Sequence, residues 1–182
     1  MGGIKTAEDF IGTGHKPNFQ VTGNDGNTYW ISRSCAVCAA VVCADREQFY
    51  ILVNRRGEGT PDWRGYWNIP CGYVDFGETC EQACSREILE ECGLHIDPSM
   101  FKLWRVVSDP EDSPKQNITI RYIAKVPAEY MNARLTDAMS EEKEVDGIKW
   151  IPYESADEYE WAFNHRNVLD DLNRELSDSE NL

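Results

Sequence analysis

Three glutamates, Glu87, Glu90 and Glu91, lie within one short stretch, with Arg86 directly before them and Glu78 a little upstream. At about 100° per residue, a helix here would gather the three carboxylates into roughly a 100° arc, spaced by three and four positions. Like charges so placed destabilise an isolated helix, so the cluster asks for a compensating cation. A hard divalent metal suits it, and Mg²⁺ characteristically takes a few carboxylates together with water and phosphate oxygens. Arg86 can reach Glu90 one turn on, or Glu78 before the helix. Its planar cation is suited to fixing how those carboxylates point.

The helix itself is bounded by the sequence. Thr79 with Gln82 three positions on forms a capping box, and Gly93 suits the position just past the last turn. Cys84, Ile88 and Cys92, four apart, give an apolar stripe beside the acidic face, so the helix can pack on a sheet while presenting its acids to a cleft. Gly72 allows close approach of the chain just before Tyr73-Val74-Asp75-Phe76-Gly77.

Strands are expected on both sides of this helix. Phe19 to Val21 and Thr28 to Ser32 flank Asn24-Asp25-Gly26-Asn27, a peripheral hairpin. Cys35 to Ala44 and Gln48 to Asn54 read as core strands joined by Asp45-Arg46-Glu47, and 55–67 reads as a surface loop. Downstream, Leu103 to Val107, Asn117 to Val126 and Val145 to Ile151 are strand-like, with a proline-bearing loop from Ser108 to Gln116. Glu154 to Leu176 reads as helix interrupted near Asn164. One α/β domain over 17–176 is expected, with a loosely ordered lead-in at 1–16 and an acidic tail at 177–182.

The 182 residues carry a formal net charge of −14, so the overall field opposes DNA and RNA, and a nucleic-acid polymer is not the expected partner. A small phosphorylated substrate remains compatible, because a bound metal inverts the local sign of charge. No apolar run approaches the roughly 18–20 residues of a membrane span, and the first residues lack a signal-peptide pattern, so a cytoplasmic protein without a membrane partner is expected. Seven cysteines, an odd number, lie mostly in apolar stretches and read as reduced thiols. Cys35 and Cys38 form a C-x-x-C pair, but no second pair follows and the segment has the character of a buried strand.

Taken together, Gly72, Glu78, Arg86, Glu87, Ile88, Glu90, Glu91, Gly93 and Leu94 stand as G-x5-E-x7-R-E-I-L-E-E-C-G-L. This resembles the signature of the Nudix hydrolase family, G-x5-E-x7-R-E-U-x-E-E-x-G-U with U aliphatic, and the likeness runs from about Ser34 to Leu176. Tyr66-Trp67-Asn68-Ile69-Pro70-Cys71-Gly72 is similar to the family's W-x-x-P-G-G lead-in, with Cys71 in place of the first glycine; that departure is tolerable where no positive φ is needed. Lys149-Trp150-Ile151-Pro152 and Ala162-Phe163-Asn164-His165 resemble a late strand and the start of a C-terminal helix in the family.

The resemblance implies an α/β/α sandwich around a mixed sheet and hydrolysis of a nucleoside diphosphate linked to another moiety, with Mg²⁺ or Mn²⁺ as cofactor. Glu87, Glu90 and Glu91 match the metal ligands, Glu78 assists directly or through water, and Arg86 orients. The general base is a signature glutamate, Glu90 or Glu91, or an acid from a distant loop, here Glu141, Glu142 or Glu144. Arg55 and Arg56 at a strand end, Gly72, Tyr73 and Phe76 are candidates for substrate contact, and Trp63 and Trp67 could also stack on a base. The loop Ser108-Asp109-Pro110-Glu111-Asp112-Ser113-Pro114 resembles that of ADP-ribose and NADH pyrophosphatase relatives. A nucleotide-sensing module without turnover, a hydrolase of oxidised nucleoside triphosphates and an isoprenoid diphosphate isomerase are the competing readings. Family members are often homodimers, and the hairpin at 19–32 could serve one.

Overall fold

The strand β3 (Cys35–Asp45) sets the architecture. Its alternate side chains go to opposite sides, Val37, Ala39, Val41 and Cys43 into one core and Cys38, Ala40 and Val42 into another. A strand buried on both faces reads as an unbroken apolar run, which is what Cys35 to Ala44 presents. The first core is closed by helix α1 (Cys80–Cys92) through Ala83, Cys84, Ile88 and Cys92. The second is closed by helix α2 (His165–Ser179) through Val168, Leu169, Leu172 and Leu176. The result is the expected α/β/α sandwich.

The computed structural model describes residues 18–45, 48–112, 115–137, 139 and 143–179. The chain divides into two units, Met1–Arg33 and Ser34–Leu182. Within the first, β1 (Phe19–Thr22) and β2 (Thr28–Ile31) form an antiparallel hairpin whose turn places Gly26 at φ 81°. The lead-in at 1–16, Arg46, Glu47, Ser113, Pro114, Glu141, Glu142 and residues 180–182 lie outside the described residues.

In the second unit β4 (Gln48–Arg56), β5 (Trp67–Asn68), β6 (Cys71–Tyr73), β7 (Phe101–Val107), β8 (Ile118–Val126) and β9 (Val145–Pro152) join β3 in a mixed seven-stranded sheet. The order is β5-β4-β3-β8-β7, with β9 beside β4 and β6 beside β3. β8 runs parallel to β3, pairing Cys35 with Ile118 through Cys43 with Val126. The other edge of β3 is shared: β4 pairs with its far half and β6 with Ala36, Val37 and Cys38. Beyond that shared edge β4 pairs instead with β5, through Asn54 and Arg55, while β9 lies along the other edge of β4 from Tyr50 to Arg56. The end of β4 therefore parts from β3, and the chain that fills the gap leads straight into α1.

Helix α1 has the predicted ends. Thr79 and Gln82 form both halves of the capping box, and Gly93 closes the last turn at φ 68° with its N–H on the Leu89 carbonyl. The spacing of Cys35 and Cys38 sends their side chains to opposite faces of β3, so the two cannot share a ligand. The C-terminal region differs from the expectation of an interrupted helix starting at Glu154. Tyr153–Glu158 is a 3₁₀ segment and α2 begins only at His165. Between them Trp67 donates its N–H to the Glu160 carbonyl and Ala162 donates to that of Trp67. Phe163 follows at φ 55°. Docking of this stretch beside β5 takes its backbone groups away from a helix.

Gly93 and Gly65 both have positive φ, but a Cβ on Gly93 would lie 2.6 Å from the Thr136 carbonyl oxygen, whereas one on Gly65 meets nothing. Gly65→Ala should then cost only the left-handed backbone penalty, about 1–2 kcal/mol. Gly93→Ala should cost at least about 1 kcal/mol more. Equal losses in urea titrations of the two variants would contradict the close approach.

Candidate functional site

The side chain of Arg86 organises the site. Its Nε and Nη2 donate to the two oxygens of Glu78 at 3.1 and 2.8 Å, its Nη1 donates to Glu87 at 2.8 Å and to Glu90 at 3.0 Å, and Nη2 also reaches the Tyr73 carbonyl at 2.9 Å. All five donors of the guanidinium fork are thus used. Glu78 lies before the helix, and its Oε1 also accepts from the Asp75 N–H at 2.8 Å. The sequence left Arg86 a choice between Glu78 and Glu90; the structure gives it both, with Glu87 and a backbone carbonyl as well. The Glu78 carboxyl is held below its usual range, first by these hydrogen bonds from Arg86.

Glu87 and Glu91 have the opposite electrostatics. Burial pushes the Glu87 carboxyl up to about 7, against the pull of Arg86 and with the charges of Glu90 and Glu144 adding to the rise. Glu91 is pushed well above the carboxylate range by burial and by Glu87, relieved only partly by a hydrogen bond from the Cys71 N–H at 3.2 Å. Cys71 does this with an ordinary negative φ, which is why a glycine is dispensable there. At Gly72 a Cβ would sit 2.0 Å from Glu87 Oε1, so a larger residue would displace the carboxyl that Arg86 holds. Gly72 thus acts by letting β6 pass under the acids.

Glu144 belongs to this cluster although it is far off in sequence, since its charge raises both Glu87 and Glu91. The loop carrying it is fastened to the end of β4, where Gly57 donates to the Glu144 carbonyl at 2.7 Å. A Cβ on Gly57 would meet the Lys143 carbonyl oxygen at 2.2 Å, so this position too requires glycine. Among the described residues, no set of three His, Cys, Asp or Glu side chains already has metal-ligand geometry. The Arg86 fork is the cation now standing among Glu78, Glu87 and Glu90.

The other sequence candidates spread around the cleft. Arg56 bonds Asp62 at 2.8 Å, lies over the Phe163 ring at 5.0 Å and lowers the Glu91 carboxyl by its charge. Arg55 turns the other way, to Asp146 at 3.1 Å and over Trp67. Tyr73 is half-exposed beside the acids, whereas Phe76 is 99% exposed. Trp67 is boxed in by Tyr159 and Lys149, and Trp63 faces Phe163 and Tyr66. Sequence reading missed Gly57, Phe163 and Arg121. Arg121 is the buried one of two charges in the otherwise mostly apolar β8, the other being exposed Lys125, and a charge in that strand was its visible signal.

A family model described as the NUDIX domain matches residues 33–172. Among curated proteins the chain is 34% identical over 64 residues to the human 8-oxo-dGDP phosphatase NUDT18, a stretch covering 35% of this chain and 19% of that protein. It is 26% identical over 112 residues to Phosphatase NudJ of Escherichia coli K12, covering 62% of this chain and 66% of NudJ. The chain thus spans about a fifth of the human relative's length and just under two thirds of the bacterial one's. Among solved structures, the NUDIX domain of Shewanella oneidensis NrtR, complexed with ADP ribose, superposes with a TM-score of 0.67 at 16% identity over 94% of this chain and 99% of that one. A MutT/nudix family protein of Enterococcus faecalis gives 0.64 at 19% identity, covering 96% and 70%.

The raised Glu87 carboxyl has a thermodynamic sign. The unfolded chain releases this proton near 4.5 while the folded one holds it to about 7, so stability without metal falls as pH rises through that window. At about 1.4 kcal/mol per unit, Glu87→Gln should stabilise the metal-free protein by roughly 2–3 kcal/mol at pH 8 and hardly at all at pH 4.5. Denaturant titrations in EDTA at the two pH values measure it. A variant no more stable than the parent at pH 8 would contradict the assigned burial.

Proposed function

Because the chain belongs to the NUDIX domain family, we propose that it is a divalent-metal-dependent pyrophosphohydrolase acting on a nucleoside diphosphate linked to another moiety. One observation carries the reading: two desolvated carboxyls, Glu87 and Glu91, share the site with Glu78 and Glu90, and Arg86 binds all of them but Glu91. Carboxyls pushed towards their neutral form gain most from a divalent cation, so this donor set fits Mg²⁺ or Mn²⁺. Glu87, Glu90 and Glu91 would hold it, with Glu78 in support. Such an ion supplies Lewis-acid neutralisation of the diphosphate charge.

The chain's own groups do the rest. Arg86 fixes the directions of Glu78 and Glu90, so that their oxygens keep their places while substrate arrives. Gly72 keeps the backbone clear of Glu87. Arg56, turned towards the cleft, attracts a phosphate oxygen. Arg55 is the further candidate, once released from Asp146. Glu144, which approaches the acids without bonding to Arg86, takes the proton of the attacking water; Glu90 and Glu91 are the other candidates for that step.

A second reading, a module that binds a nucleotide without turnover, draws on the NrtR domain complexed with ADP ribose. A substrate panel with Mg²⁺ separates the two: ADP-ribose, NADH, sugar nucleotides, diadenosine polyphosphates, and oxidised deoxynucleoside di- and triphosphates. Turnover of at least one member, abolished by EDTA, is expected; tight binding of one with turnover of none would establish the sensor. Glu91→Gln should lower kcat by about two to four orders of magnitude and weaken metal binding, whereas Glu144→Gln should lower kcat alone. Unchanged rates in Glu91→Gln would remove the metal assignment, and an unaffected Glu144→Gln would return the base to Glu90 or Glu91.

A further inference from the structure

Away from the acids, between the end of β7 and the start of α2, lies a cavity of about 370 Å³ whose lining includes Asp109, Asp112, Asn164, Asn167 and Asp171, with Arg121 among them. Arg121 is only 7% exposed, yet its one ion pair among the described residues is with Asp171 at 3.8 Å, beyond hydrogen-bond reach. Asp171 is already engaged, its Oδ2 by Arg105 at 2.7 Å and its Oδ1 by Arg174. Its guanidinium nitrogens border the cavity, so donors that no group among the described residues takes up face the space a ligand would fill.

The position of Arg121 ties the cavity to the acids. Arg121 on β8 is the register partner of Cys38 on β3, Cys38 is the partner of Cys71 on β6, and the Cys71 N–H holds Glu91. Two strand spacings, about 10 Å, therefore separate Arg121 from the backbone that positions Glu91. That span suits a nucleoside 5′-phosphate whose base occupies the cavity on the α2 side and whose phosphate passes the β6 edge to the acids, which come from α1 on the other side.

The lining chooses among ligands. Three carboxylates against Arg105 and Arg121 leave the cavity net negative, which disfavours a phosphate and favours an uncharged heterocycle with both donors and acceptors. A guanidinium fork matches two adjacent acceptors, and guanine carries O6 and N7 side by side where adenine shows a donor next to N7. The ring N–H and amino groups of guanine would face carboxylates, which accept.

We propose that this cavity is the base subsite, that Arg121 is its specificity-determining residue, and that it selects a guanine-type base over adenine. Calling that base part of a substrate rests on the pyrophosphohydrolase reading; its binding does not. Within the nucleoside diphosphate class, the proposal directs the search to guanine nucleotides.

The test is calorimetric titration of the full chain with GMP and with AMP. GMP should bind at least ten-fold tighter than AMP. Arg121→Met, of similar length and without charge, should remove that preference, and Asn167→Ala on the rim should weaken GMP several-fold. Should Arg121→Met fail to fold, Arg121→Lys takes its place; it keeps the charge and loses the fork, and the preference should again fall. Equal affinities in the parent chain, no binding of either nucleotide, or a preference surviving replacement of Arg121 would overturn the proposal. Glu91→Gln separates the two readings: it should lose turnover and keep the GMP preference. A chain that selects GMP but hydrolyses no nucleotide would retain the subsite and lose the hydrolase.

Discussion

The five-donor grip of Arg86 is the interaction on which the remainder of the site depends. It joins three segments at once: the turn of β6 through the Tyr73 carbonyl, the connecting loop through Glu78, and the helix through Glu87 and Glu90. Each carboxylate alone would repel the others, and the helix offers no basic residue in its last turn to balance them. A permanent planar cation is the side chain that can satisfy several carboxylates in fixed directions without itself losing charge. Glu91 lies outside this grip, on a backbone N–H, and so belongs to a different electrostatic environment one turn of helix away from Glu87.

The sheet supplies the place for this arrangement. β3 lends one edge to two strands, β4 and β6, and where β4 leaves β3 to pair with β5 the sheet opens. Into that opening come Arg56 from the end of β4, the loop carrying Glu144, and the start of α2. Two glycines make the approach close enough, Gly72 beneath Glu87 and Gly57 against the loop before β9. Apolar burial on both faces of β3 holds the opening in register, since a slip by one residue would exchange its two cores.

Local features were the ones readable from the sequence. The capping box, the stripe of Cys84, Ile88 and Cys92, and the terminal Gly93 all depend on neighbours within a helix, and each is found where spacing put it. The continuous apolar run of β3 likewise announced a strand covered on both sides. Pairings across long distances were not legible: nothing near Glu144 says that Gly57 will draw its loop to the acids, and nothing near Phe163 says that Trp67 will take the backbone bonds a helix would have used. Arg121 was overlooked because a strand pattern tells which face a residue joins and not whether that face is filled; only the packed molecule shows the cavity beside it.

The small residues of β3 and α1 have one more consequence. Cys38, Cys43, Cys84 and Cys92 are buried, while Cys35, Cys71 and Cys80 are only partly covered. Burial pushes the Cys38 thiol up to about 12 and raises Cys84 and Cys92 as well, so these three offer little thiolate to react while the chain is folded. Cys84 and Cys92 sit on the helix that carries the acids, and Cys38 on the strand beneath Arg121. The rate at which each is alkylated therefore becomes a clock for local opening, with one hand on either side of the sheet.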